Sequence, residues 1–159
     1  MNSLKPILLV EDSAKDIELT LAALEDSHLA NRVIVLRDGS EALDYLRLQA
    51  ENGGDGLPAV MLLDIKMPKV SGIEVLREIR GDAALKHIPV VMLTSSKEGP
   101  DLAQCYELGA NAYVVKPVEF GEFFEAVKAV GKFWAVVNEP PEQTKAAEIG
   151  AALAAGGRA

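Results

Sequence analysis

The sequence predicts an α/β fold, a doubly wound parallel sheet of five strands in the order 2-1-3-4-5 with helices on both faces. Three observations predict it. Apolar, β-branched runs alternate with helix-period segments five times along the chain. The runs are almost continuously hydrophobic, as strands buried on both sides must be. Right-handed crossovers then leave few topologies, and this order is the simplest for five strand–helix units.

The elements follow in order. "KPILLV" (5–10) reads as the first strand, and "AKDIELTLAALEDSH" (14–28) places Ile17, Leu21 and Leu24 on one helix face. "RVIVLR" (32–37) is the second strand, after which Asp38-Gly39-Ser40 opens a helix through about Ala50. "ENGGDGLP" (51–58) is a glycine-rich loop leading to the third strand, "AVMLLD" (59–64). Met67-Pro68 turns the chain, and "GIEVLREIR" (72–80) is helical. "IPVVMLTS" (88–95) is the fourth strand, and "DLAQCYELG" (101–109) a helix that Gly109 stops. "AYVVK" (112–116) is the fifth strand, followed by one long helix from about Glu119 to Val137. The whole has the flavodoxin-like arrangement. From Asn138 the character changes: "NEPPEQ" breaks the helix, and residues 138–159 form an alanine-rich tail expected to be mobile or loosely docked on a domain of residues 1–137.

Bulk properties narrow the function. The chain has 159 residues, 49% of them hydrophobic and 25% charged, which suits one compact domain with its own core. Its net charge is −8 without a basic cluster, so nucleic acid is a poor partner. A single cysteine, Cys105, excludes an internal disulfide and a cysteine-based metal cluster, and it reads as a small apolar helix residue. His28 and His87 lack metal-ligand spacing and read as surface residues. No apolar run reaches the roughly 18 residues of a membrane span. No secretion signal opens the chain, so no membrane partner and a cytoplasmic location are expected.

The chemistry lies where the strands end. The first ends in Glu11-Asp12, the third in Asp64, the fourth in Thr94-Ser95-Ser96 and the fifth in Lys116. In a parallel sheet these ends share one edge, and ligands bind there, at the point where strand order reverses. With this order that point falls between strands one and three, which carry Asp12 and Asp64. Three converging carboxylates repel unless a proton or a cation offsets them. An all-oxygen ligand set suits a hard divalent ion, most simply Mg2+. Lys116 adds a fixed cation and Thr94 a hydroxyl, which together make a receptor for a phosphoryl group. Asp64, on the middle strand, is then the candidate nucleophile. Taken singly, each residue has a plainer role: Asp12 or Ser13 as a helix cap, Thr94 as a strand residue, Lys116 as a solvated charge. Their joint placement at four strand ends favours a site.

These residues resemble a known family. "LLVEDS" with Glu11-Asp12, "LLDIKMP" with Asp64 and Pro68, Ser71-Gly72, "VVMLTSS" with Thr94, and "GANAYVVKPV" with Tyr113, Lys116 and Pro117 occur in the order found in receiver domains of bacterial two-component response regulators. The resemblance spans about residues 5–137. It implies that Asp64 accepts a phosphoryl group from a histidine kinase, and that Asp12, Asp64 and the Lys66 backbone carbonyl ligate Mg2+, with Glu11 acting through water. It implies that Lys116 holds Asp64 and then the phosphoryl oxygen, and that Thr94 and Tyr113 switch with phosphorylation. It further implies that Lys66 and Ser96 tune autodephosphorylation and that Lys116–Pro117 is a cis peptide. Such a protein is a phosphoacceptor signalling protein, with self-phosphorylation and autodephosphorylation chemistry, rather than an enzyme. Its output passes through a downstream protein target or a phosphotransfer protein.

Within the family the chain is similar to the stand-alone regulators that partner bacterial phytochromes. The long glycine-rich loop, the "KHIPVVMLTSSKE" phrase and Phe133-Trp134 carry that similarity. Ser71 departs from the Asp or Asn that often precedes the glycine, yet serine still suits a turn. On the last helix, Phe123, Val127, Val130, Trp134 and Val137 form one apolar stripe, and Ala126, Ala129, Phe133 and Val136 a second. The pair reads either as a wide core face or as a partner face, and the resemblance favours a homodimer through Phe133 and Trp134.

Three rivals are weaker. A Mg2+-dependent phosphohydrolase would carry an Asp-x-Asp nucleophile motif, but Asp64 is followed by Ile65-Lys66. A flavin or nucleotide carrier would have glycines in the first strand–helix turn, where "EDSAKD" instead repels phosphate. A non-phosphorylated scaffold has no need of Asp64, Thr94 and Lys116 together.

Overall fold

In the computed structural model, which describes residues 4–139, five parallel strands alternate with five α-helices. They are β1 (Ile7–Val10), α1 (Ala14–Asp26), β2 (Val33–Leu36), α2 (Gly39–Glu51), β3 (Val60–Leu63), α3 (Gly72–Gly81), β4 (Val90–Thr94), α4 (Gly99–Glu107), β5 (Ala112–Val115) and α5 (Phe120–Lys132). The sheet order is β2-β1-β3-β4-β5, as the alternation predicts. The register pairs Val10 with both Leu36 and Leu63, so β1, β2 and β3 end level with one another. The predicted tail from Asn138 lies outside the described residues beyond Glu139.

Period-two alternation along the strands divides the core in two. Leu8, Val10, Met61, Leu63, Val90 and Met92 face Leu46 of α2, Leu76 and Ile79 of α3 and Cys105 of α4. Ile7, Leu9, Val60, Leu62, Val91 and Leu93 face Ile17 and Leu24 of α1 and Phe123 and Val127 of α5. Each such fully buried side chain contributes roughly 1.5–3 kcal/mol. Cys105 is buried as read from the sequence, and His28 and His87 are exposed.

The first three helices are capped locally by side chains. Ser13 accepts from the Asp16 backbone N–H, Asp38 from Glu41 at 2.8 Å, and Ser71 from Glu74. Of the two candidates for capping the first helix, Ser13 takes that place, which leaves the Asp12 carboxylate for other work. Gly109 follows α4 with φ +98, a conformation that favours glycine, and so ends the helix as expected.

At the opposite edge from the strand ends, Arg80 of α3 ties several segments together. Its Nε donates to the Gly109 carbonyl at 2.9 Å, Nη1 to the Lys86 and Ile88 carbonyls at 2.9 and 2.8 Å, and Nη2 to Asn111 Oδ1 at 2.9 Å. Asn111 Oδ1 also accepts from the Val90 N–H at 2.8 Å. One guanidinium thus fixes the chain entering β4 and β5. Burial alone pulls its pKa down, and no carboxylate is needed to hold it.

Three expectations are corrected. The fourth helix begins at Gly99 rather than residue 101, because Pro100 fits the first turn, where its missing N–H costs nothing. The last helix is not a single α-helix to Val137: after Lys132 it widens into a π-turn over Phe133–Val137, closed by Asn138 N–H donating to the Phe133 carbonyl at 2.7 Å. No described peptide bond is cis, so Lys116–Pro117 is trans, the isomer an X-Pro bond favours by about 0.5–1 kcal/mol.

Candidate functional site

The sheet's own hydrogen bonds carry the acidic residues to one place. Glu11 N–H donates to the Leu36 carbonyl at 3.0 Å and Asp64 N–H to the Val10 carbonyl at 3.1 Å, extending the ladders past the ends of β1 and β3. Glu11 and Asp64 are buried, Asp12 is exposed, and one oxygen from each lies within 4.8 Å of the others. Asp64 Oδ1 accepts from the next residue's N–H, Ile65, at 2.8 Å, which fixes the carboxylate's rotation. Gly72 closes the loop behind it by donating to the Ile65 carbonyl at 2.9 Å. A Cβ at position 72 would stand 1.9 Å from the Asp64 carbonyl oxygen, so only glycine lets α3 start this close.

Lys116 reaches this cluster from the far side of the sheet. It follows β5, and its N–H donates to the Thr94 carbonyl at 2.7 Å. Its side chain extends over the strand ends, only 9% exposed, and its ammonium bonds Glu11 Oε1, Asp16 Oδ2 at 2.8 Å and Asp64 Oδ2 at 3.4 Å. Asp16 was not singled out from the sequence. The available signal was its place in the first turn of α1, one turn beyond Asp12, where an acid looks like ordinary complement to the helix dipole.

The electrostatics favour a cation. Burial first, and then the neighbouring Asp64, push the Glu11 carboxyl up to about 8, while Lys116 pulls it the other way. Burial works against the Lys116 ammonium, yet its bonds to Asp16 and Glu11 and the charge of Asp64 outweigh that and raise its pKa. One lysine does not satisfy the cluster, because Glu11 Oε2 is buried and meets no donor among the described residues. An orphaned carboxylate oxygen beside two further carboxylates fits a divalent cation with oxygen ligands.

The other predicted residues form a second layer. Thr94 is fully buried, and its hydroxyl oxygen accepts from Ser96 N–H at 3.2 Å. Ser96 Oγ donates to Asp101 Oδ2 of α4 at 2.6 Å, and the Ser96 carbonyl accepts from the Tyr113 hydroxyl at 2.9 Å. Thr94, Ser96 and Tyr113 are therefore one connected group, adjoining the acids through β4 and β5. Lys66 stands exposed two residues after Asp64. Phe133 and Trp134 sit apart from this edge. Their rings meet edge to face at 5.0 Å, Trp134 packing on the core and Phe133 remaining 47% exposed.

Comparison with known proteins finds relatives that match most of the chain. A profile of the response regulator receiver domain matches residues 7–128. Response regulator Rcp1 of Synechocystis sp. is 41% identical over 133 residues, covering 84% of this chain and 90% of Rcp1. The crystal structure of its Mn(2+)-bound form matches with a TM-score of 0.79 and 39% identity over 87% of this chain and 99% of that one. The phosphorylated cyanobacterial phytochrome response regulator RcpA matches with a TM-score of 0.81 and 39% identity, over 88% of this chain and 100% of that one. The bacteriophytochrome response regulator AtBRR is 60% identical, with a TM-score of 0.67 over 86% of this chain and 99% of its own.

Proposed function

The chain belongs to the response regulator receiver family, and on that premise we propose that Asp64 accepts a phosphoryl group from a histidine kinase of the phytochrome type. The observation that carries this reading is the meeting of Glu11, Asp12, Asp64 and Lys116 at the switch point of the sheet.

An Asp64 carboxylate oxygen attacks the phosphorus of the phosphohistidine. The phosphorus–nitrogen bond breaks, its electron pair returns to the imidazole, and an acyl phosphate remains on Asp64. Asp12, Asp64 and the Lys66 carbonyl would hold Mg2+, with Glu11 contributing through water. When bound, the ion supplies positive charge against which phosphoryl oxygens are stabilised. Lys116 supplies a second positive charge, fixed beside Asp64. Thr94, whose oxygen already accepts a bond, keeps its one O–H to donate to a phosphoryl oxygen. That movement would draw on Ser96 and so on Tyr113 and α4, and Ser96 with Lys66 flanks the path of the water that hydrolyses the acyl phosphate. The protein is a signalling switch in the cytoplasm rather than a turnover enzyme, and its surface change is read by a protein target.

Exposed Phe133, Val136 and Val137 beyond α5 support self-association, so we also infer a homodimer. Equilibrium sedimentation of the wild type and of a Phe133→Ala, Trp134→Ala variant tests it; identical monomeric behaviour sinks the dimer. For the central reading, the protein is incubated with acetyl phosphate and Mg2+ and its intact mass measured. A phosphoryl gain in wild type and none in Asp64→Asn is expected. A gain in neither, where a control receiver labels, would falsify the assignment.

A further inference from the structure

Lys116 has three ammonium N–H groups and three carboxylates around it, so each new bond must replace an old one. The bonds are unequal. Glu11 and Asp16, the latter at 2.8 Å, lie closer to the ammonium than Asp64 does at 3.4 Å, so the lysine is held nearer these two acids than the candidate phosphoacceptor. Asp16 is well placed to hold it there. Its backbone N–H is fixed by the Ser13 cap, its carboxylate sits at the positive end of α1, and its side chain is 27% exposed, less open than a free surface acid.

We propose that Asp16 is a positioning residue that holds the Lys116 ammonium toward α1 while Asp64 carries no phosphoryl group, and gives it up when Asp64 carries one. This rests on the reading of Asp64 as phosphoacceptor. A phosphoryl group brings a charge of roughly −1.5 to −2, more than the single charge of Asp16, so the ammonium moves toward it. Glu11 shares the acidic cluster with Asp64 and can be kept in that move, whereas Asp16 stands on α1 outside that cluster and is the bond to be released. The Asp16–Lys116 bond is therefore stronger before phosphoryl transfer than during it, and such an interaction slows the reaction. The same exchange frees the first turn of α1 from its tie to β5.

The test compares wild type, Asp16→Asn and Asp16→Glu. Two readouts are taken: the Lys116 ammonium resonance by NMR in metal-free, unphosphorylated protein, and the phosphorylation rate with acetyl phosphate at saturating Mg2+. In Asp16→Asn the resonance should shift and the rate rise roughly three- to tenfold, the scale of one charge-assisted hydrogen bond reduced by partial exposure. Asp16→Glu restores the charge and should return both toward wild type, which separates positioning from a general loss of helix stability. An unchanged resonance, or a rate in Asp16→Asn equal to or below wild type, overturns the role of Asp16. No labelling of the wild type overturns the phosphoacceptor reading itself.

Discussion

Each end of the sheet holds a largely covered cation, and the two are held in opposite ways. At the amino ends of β4 and β5, Arg80 gives four hydrogen bonds to three carbonyls and an amide oxygen. At the carboxyl ends, Lys116 is surrounded by three carboxyl groups, and a further buried oxygen, on Glu11, lacks a donor among the described residues. Neutral acceptors, three of them backbone carbonyls, make the first end a permanent joint. Acidic acceptors that outnumber their cation make the second end rearrangeable, since an added charge of either sign redistributes the bonds. A scaffold and a switch are built from the same sheet by changing the partners of a single positive charge.

Four measurements would break or sharpen this contrast. Lys116→Met should have the largest effect, because it leaves buried acids facing one another. We expect about 3–5 kcal/mol lost in urea denaturation in chelator, part of it regained with Mg2+, together with loss of phosphorylation. Arg80→Met should cost about 2–3 kcal/mol whether or not Mg2+ is present and leave the acetyl phosphate reaction unchanged. A Mg2+-dependent effect at Arg80 would erase the distinction between the ends. Gly72→Ala forces the β3–α3 loop off Asp64, with an expected cost of about 1–2 kcal/mol and weaker Mg2+ binding by calorimetry. The fourth measurement concerns pH. The Glu11 carboxyl stands at about 8 in the folded protein against its ordinary 4.5, so folding takes up a proton. That contribution is complete below 4.5 and lost as pH rises through about 8. The urea midpoint of the chelated protein should therefore fall over this range more steeply than that of the Mg2+-loaded protein. Parallel curves would remove Glu11 from the account.

Most of this contrast could be read from the sequence at one end only. Strand order and the edge carrying Asp12, Asp64, Thr94 and Lys116 follow from alternation and from where greasy runs stop, because a parallel sheet leaves polar groups nowhere else to go. The Arg80 joint was not legible, since its acceptors are mostly backbone carbonyls, which every sequence has. Asp16 was hidden for a different reason. An acid in a first helical turn already has a local explanation, and only the folded chain shows a lysine exactly one hundred positions later arriving beside it. The widening after Lys132 was invisible because the apolar spacing of α5 continues through it, and periodicity does not reveal how many residues a turn holds.

That widened turn has a consequence for how this helix can change. A π-turn carries one residue more than the α-turn it replaces, so it works as a phase slip in the winding of the chain. Successive residues of an α-helix are offset by about 100°. Deleting one residue from 133–137 would re-index Val136 and Val137, now exposed, onto another side of the helix, without altering what either residue is. The outward face at this end is thus set by length rather than composition. Single insertions and deletions there offer a route to exchanging surfaces while the core beneath α5 keeps its register.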